Sequence, residues 1–113
     1  MVTGKQQTEP TRLSPGRFVV RVRGDMDYDH AQQLKASLTA ALSVAPEGWD
    51  VVVDLQHSSF CDSAGLNALL AARQEAVEEG RELVLAAPSH QMVRMLELTG
   101  STRLFTLAPA VPA

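Results

Sequence analysis

The chain has a single cysteine, Cys61, among 113 residues. No intrachain disulfide can form, and a reducing compartment suits it. Aromatic residues are scarce: Phe18, Phe60, Phe105, Tyr28 and Trp49 are the whole set, so the core falls to Val, Leu, Ala and Met. There is no basic block, and the formal charge is −3. That excludes the Lys/Arg stripe of a nucleic-acid binder, and it is too mild to identify a partner. No apolar run approaches the ~20 residues needed to cross a bilayer, and the first residues lack the apolar centre of a secretory signal. Internal repeats and low-complexity tracts are absent as well. The size allows one small hydrophobic core. Together these absences predict a single cytoplasmic domain with no membrane and no direct nucleic-acid partner.

The hydrophobic pattern is informative. Residues 1–12 read as a flexible N-terminus or a short edge strand, with Gln6–Leu13 as the candidate strand and frayed first residues. The domain is expected over 13–108, and 109–113 is a coil tail carrying Pro109 and Pro112. From Phe18 to Arg23 the residues alternate, with Phe18, Val20 and Val22 on one side and Val19, Arg21 and Arg23 on the other. That is a strand with one wetter face, which Gly24 breaks. From Asp29 the period becomes helical: Ala31, Leu34, Leu38, Ala41, Leu42 and Ala45 share a face, until Pro46 and Gly48 stop the helix.

Val51–Leu55 is nearly all apolar, as in a strand covered on both faces. A polar loop, Gln56–Ser59, follows it. A second helix is expected from about Ser63, with Leu66, Leu69, Leu70, Arg73 and Val77 inward and Gly80 in a left-handed position at its end. Leu83–Ala86 reads as another buried strand. Pro88 and Ser89 open a third helix with Met92, Val93, Met95 and Leu96 inward, ended by Gly100. Arg103–Leu107 reads as the last strand. The order β-β-α-β-α-β-α-β demands crossover connections. The fold class is α/β: a mixed, largely parallel sheet with covering helices, in which the first strands pair antiparallel at one edge.

The segment Val51–Leu70 (VVVDLQHSSFCDSAGLNALL) contains the richest local signal. A buried strand ends, a short loop turns, and Asp62-Ser63-Ala64-Gly65-Leu66 opens a helix. A helix start presents unpaired N–H groups and a positive dipole end, where a phosphate is stabilised. Gly65 leaves room for close backbone approach. On spacing alone, Asp62 and Ser63 are more readily explained as helix caps.

The whole stretch resembles the STAS family of anti-sigma factor antagonists, whose hallmark is a strand, a loop and then D-S-[SAT]-G-L opening a helix. Phe60-Cys61-Asp62-Ser63-Ala64-Gly65-Leu66 matches it. Gly24-Asp25-Met26-Asp27 is similar to the family's G-[ED]-[LIM]-D segment, and Val84–Gly100 follows the family's strand, Pro-Ser turn and helix ending in Thr-Gly. The resemblance covers residues 17–107. It implies a single STAS-type domain, not an enzyme, in which Ser63 is the phospho-acceptor. It also implies that the partner is an anti-sigma factor that is an ATP-dependent serine kinase. The unphosphorylated form binds that kinase and frees a sigma factor; the phosphorylated form releases it, and a phosphatase restores it. Asp62, Ser63, Ala64, Gly65, Asp25 and Asp27 are the implied partner-binding residues, with Asp62 and Gly65 shaping the loop. Ala64 departs from the commonest pattern, where a second serine stands. Ser58, Ser59 and Ser89 are rival acceptors, Ser59 foremost.

Competing constellations fail on spacing. The hydrolase elbow wants G-x-S-x-G; Cys61 occupies the first glycine position, the only downstream histidine is His90, and no aspartate lies between it and Ser63. Asp25, Asp27 and Asp29 begin like a calcium loop, but His30 stands where glycine is needed and Ala36 where glutamate is needed. His57, Cys61 and His90 have no zinc spacing: His57 is expected in a loop, His90 exposed in a first turn, and Cys61 as a small buried filler. No Gly-rich phosphate loop is present. No cofactor and no metal are expected. The rival that stays within the fold is a STAS domain acting as a non-switching scaffold, or as a regulatory part of a signalling, transport or lipid-trafficking assembly.

Overall fold

The computed structural model describes residues 6–10 and 16–112. The expected fraying of the first residues, the far end of the candidate edge strand at 11–13 and the last residue, Ala113, lie outside the described residues. Five strands form one sheet in chain order. They are β1 (Gln6–Pro10), β2 (Arg17–Arg23), β3 (Asp50–His57), β4 (Leu83–Ala86) and β5 (Thr106–Ala108). β1 pairs antiparallel with β2, and β2 to β5 run parallel to one another. Between them lie α1 (Ala31–Val44), α2 (Ser63–Glu78) and α3 (His90–Leu98), with 3-10 turns at Tyr28–His30 and Thr102–Leu104. The α/β class and the antiparallel edge both follow the sequence patterning.

The alternation in β2 explains how the sheet finds its core. Phe18, Val20 and Val22 are buried with Val51, Val53 and Leu55 of β3 and Leu83 and Leu85 of β4. Leu34, Leu38 and Leu42 of α1, Leu66 and Leu69 of α2, and Met92 and Leu96 of α3 join the same cluster. All three helices therefore cover one face. Each such aliphatic side chain contributes about 1.5–3 kcal/mol by leaving water. The opposite face carries a smaller cluster, Val52, Val84 and Ala86, against which Val19, Ala108 and the tail residue Val111 pack. Asp54, also on that face, is almost fully buried. Its carboxylate accepts from Gln56 N–H and Nε2, both at 3.0 Å, and pairs with Arg21 Nε at 3.4 Å, as a buried charge requires.

Several elements depart from the sequence expectation. In α2 the buried stripe is Leu66, Ala68, Leu69, Ala72 and Ala76, whereas Leu70 and Arg73 are half-buried and Val77 is 49% exposed. α2 packs beside α1, and the helix turns a largely alanine face into the core, leaving the larger side chain at 77 outside. In α3 only Met92 and Leu96 are buried; Val93 and Met95 are intermediate. Gln56 and His57 belong to β3, not to the loop, because β3 continues past an irregularity to pair His57 with Arg23. The last strand is displaced from Arg103–Leu107 to Thr106–Ala108: residues 102–104 coil into a 3-10 turn that keeps Arg103 and Leu104 outside and buries Phe105.

Candidate functional site

Neighbouring parallel strands send their following loops out at the same end of the sheet, which is where α/β folds place their sites. Here β2 leads to Gly24–Asp27, β3 to Ser58–Asp62 and β4 to Ala87–Ser89. The two sequence motifs, about 35 residues apart, are therefore brought together by topology.

Their contact is tight. Gly24, in the left-handed region at φ +86°, turns the chain and donates its N–H to His57 O at 3.2 Å. Met26 pairs in parallel with Cys61: its N–H donates to Phe60 O at 2.8 Å and its carbonyl accepts from Asp62 N–H at 3.1 Å. Gly65 seats the helix on this bridge. A Cβ there would lie 2.0 Å from Met26 O, a backbone atom, so it could enter only if the backbone shifted.

Asp62 is the N-cap of α2. Its Oδ1 accepts from Ala64 N–H at 2.8 Å and Gly65 N–H at 3.0 Å, and its Oδ2 accepts from Tyr28 N–H at 2.9 Å. One carboxylate thus caps the helix and ties it to the first motif. Capping falls to Asp62, and Ser63 is the first helical residue, with an exposed side chain. The helix amides that would receive an anion are already held by Asp62. A phosphate on Ser63 would stand beside that carboxylate, not in an empty anion nest.

The other implied partner residues divide by exposure. Asp25 is exposed, Ala64 is half-buried, and Gly65 is buried, so Gly65 acts by letting the loops close. Asp27 is engaged internally. It caps the Tyr28–His30 turn, accepting from His30 N–H at 3.1 Å and lying 2.6 Å from His30 Nδ1. The hydrogen bond from His30 holds the Asp27 carboxyl below its ordinary value, with the imidazole charge adding to this. Among the rival serines, Ser58 is buried and Ser89 caps α3 through Met92 N–H at 3.2 Å. Ser59 is exposed.

Cys61 is fully buried. Burial, with the nearby Asp62 charge, pushes its thiol up to about 12, so it is an inert filler. Two aromatic side chains are exposed on the segments that meet here: Tyr28 is 80% exposed and Phe60 42%. A cleft of about 380 Å³ between Tyr28, Asp29, Gln32 and Ala64 lies alongside. Exposed aromatics beside a cleft are the kind of surface a protein partner covers. Sequence reasoning missed Gln91, whose side chain reaches from α3 to the backbone of Cys61. His57 and His90 are exposed, and among the described residues no group of three His, Cys, Asp or Glu side chains is placed to hold a metal. No helix among the described residues is long and apolar enough to cross a membrane.

Comparison with known proteins agrees with this geometry. The family described as "Mlab, STAS domain" matches residues 11–107. An anti-sigma F factor antagonist from Lysinibacillus sphaericus is 26% identical over 82 residues, 73% of this chain and 69% of that protein. The crystal structure of an anti-sigma factor antagonist from Mycobacterium paratuberculosis superposes with a TM-score of 0.70 at 29% identity, covering 94% of this chain and 87% of that one. A sulfate transporter family protein from Wolinella succinogenes shares the fold, with a TM-score of 0.73 at 17% identity over 89% of this chain and 83% of that one. With the family matched across nearly its whole length and both motifs meeting at one end of the sheet, the chain belongs to the STAS-domain family, a non-enzymatic family that includes the anti-sigma factor antagonists to which it is related.

Proposed function

We propose that the protein is an anti-sigma factor antagonist switched by phosphorylation of Ser63. In its unphosphorylated form it binds an anti-sigma factor that is a serine kinase, and so frees a sigma factor. Phosphate on Ser63 ends that binding, and a phosphatase restores it. The observation that supports this most is the placement of Ser63. It is exposed at the first turn of α2, while the residues around it are fixed by Asp62, Met26 and Gly65. An acceptor hydroxyl must be reachable yet held on a rigid frame, and here it is both.

The switch follows from charge. A phosphoserine adds about −1.5 to −2 charge at pH 7. With its cap amides occupied, Asp62 stays beside the new group and Asp25 stays exposed on the same loop pair. Packing like charges into a desolvated interface costs several kcal/mol, enough to dissociate a complex without refolding the domain. Tyr28, Phe60, Asp25, Asp62 and Ala64 form the docking surface in this account. The cytoplasm, which supplies ATP and the kinase, is the compartment it requires.

Affinity for the anti-sigma factor kinase of the source organism tests it. Ser63→Ala binds as tightly as the unmodified protein and stays bound in the presence of ATP, whereas Ser63→Asp binds at least about tenfold more weakly. Equal affinity of the two variants removes the switch. The second reading, a non-switching STAS domain in a transport or lipid-trafficking assembly, draws on the "Mlab" description of the matched family and on the fold shared with the sulfate transporter family protein. It predicts stable binding to a non-kinase partner that neither substitution changes.

A further inference from the structure

The segment Phe60–Asp62 runs on from β3 as a short extended stretch. One of its edges is occupied by Met26, which accepts from Asp62 N–H and donates to Phe60 O. The N–H and C=O of Cys61 belong to the other edge. The ladder between β3 and β4 stops at Asp54 and Ala86, so no described strand lies there to receive them. Gln91, in the first turn of α3, takes the place of that strand. Its Oε1 accepts from Cys61 N–H at 2.8 Å and its Nε2 donates to Cys61 O at 2.7 Å. A primary carboxamide offers one acceptor and donors in the same plane, as a peptide group does. The side chain therefore completes both bonds of a missing rung. The first turn of α3 is itself fixed, by the Ser89 cap and by the bond from Ala87 N–H to Ala108 O at 2.8 Å.

We propose that Gln91 is the positioning residue of the acceptor loop: by clamping the Cys61 peptide it holds the Asp62 cap, and through it Ser63, in the one arrangement a kinase can use. Without the clamp, two backbone groups lose their partners, and the loop samples arrangements in which Asp62 is off the helix. The acceptor is then presented for only a fraction of the time, and the apparent affinity of the kinase for it falls by that fraction. The consequence for phosphorylation rests on Ser63 being the acceptor; the clamp does not.

The test uses the full chain with Gln91→Leu, which keeps an apolar side chain there and removes both bonds, and with Gln91→Glu, which keeps an acceptor for Cys61 N–H and loses the donor. Hydrogen exchange by NMR reads the clamp. In Gln91→Leu the Cys61 amide loses protection about tenfold while the amides of β3 and β4 keep theirs. Gln91→Glu falls between, and regains protection as its carboxyl is protonated and can donate to Cys61 O. Unchanged protection of Cys61 in both variants overturns the clamp, whatever any kinase does. Steady-state phosphorylation by the kinase that modifies the wild-type protein reads the positioning. A KM raised about tenfold with kcat little changed supports it, and unchanged KM with a deprotected Cys61 reduces Gln91 to a structural contact. If no kinase modifies the wild-type protein, the reading of Ser63 fails and the positioning role fails with it, while the exchange result still decides the clamp.

Discussion

Replacing Gly65 by alanine measures how firmly the two motif loops are locked together. At an ordinary helix position this substitution stabilises by up to about 1 kcal/mol. Here the new Cβ meets Met26 O at 2.0 Å, Met26 C at 2.7 Å and Met26 Cβ at 2.9 Å. A carbon–oxygen contact settles at about 3.3–3.6 Å, so α2 and the Gly24–Asp27 loop must separate by more than about 1 Å. Three hydrogen bonds cross that gap: Asp62 N–H to Met26 O, Met26 N–H to Phe60 O, and Tyr28 N–H to Asp62 Oδ2. The first cannot survive the shift, and the other two are stretched. At about 0.5–1.5 kcal/mol each, with some loss of packing around the buried Met26, the net destabilisation is about 2–4 kcal/mol. Urea unfolding reads it directly: at an m-value of about 2 kcal/mol/M the midpoint falls by about 1–2 M with the slope unchanged. A midpoint equal to or above that of the wild-type protein would mean that the loops part at no cost and are not locked together.

Three further outcomes are expected. Asp62→Ala removes a cap and the tie to Tyr28 and lowers stability by about 1–2 kcal/mol in urea unfolding, whereas Asp62→Asn, which keeps a side-chain carbonyl for the cap amides, recovers most of it; equal losses would show that the carboxylate charge, not its geometry, is what counts. Because its folded-state value is depressed, Asp27 adds stability that is complete above its ordinary value of 3.8 and is lost as pH falls through the lowered one. A carboxyl NMR titration therefore finds Asp27 below 3.8, and His30→Ala returns it to that range; no response to His30→Ala would contradict the pairing. The Cys61 thiol, buried and raised to about 12, is labelled by a thiol reagent near pH 8 only as fast as the protein opens, and rapid labelling of the folded protein would show that the loop is not packed.

Much of the fold was legible because it rests on local patterning. The alternation of Phe18–Arg23, the helical face of Leu34, Leu38 and Leu42, and the apolar run Val51–Leu55 each state their own burial. Where local pattern competes with packing, legibility fails. Val77 has the right spacing for the inner stripe of α2, yet the alanines at 72 and 76 are buried in the core and Val77 is left outside, because the tertiary packing of the helix, not side-chain size, sets which face turns inward. Arg103–Leu107 carries no alternation strong enough to show that the chain coils before it pairs, so the strand begins three residues late.

The site was half legible. Asp62 and Ser63 both suit a helix start, and only the folded structure assigns the cap to Asp62 and leaves Ser63 as the first helical residue. Gly65 announced a close approach, but its counterpart, the carbonyl of Met26, lies 39 residues away in the chain. Gln91 gave no sign. A glutamine in a first helical turn is unremarkable until three loops meet and one backbone edge is left without a strand. Its only trace in the sequence is its place beside the buried Met92.

Phosphorylation of Ser63 leaves a definite mass signature. Intact-mass and peptide mass spectrometry, after incubation with ATP and each candidate anti-sigma factor kinase of the source organism, tests it most directly. A single phosphate is expected, located on Ser63 and absent from Ser63→Ala. Phosphate on the exposed Ser59 instead, or none with any candidate kinase while a non-kinase partner binds stably, would contradict it.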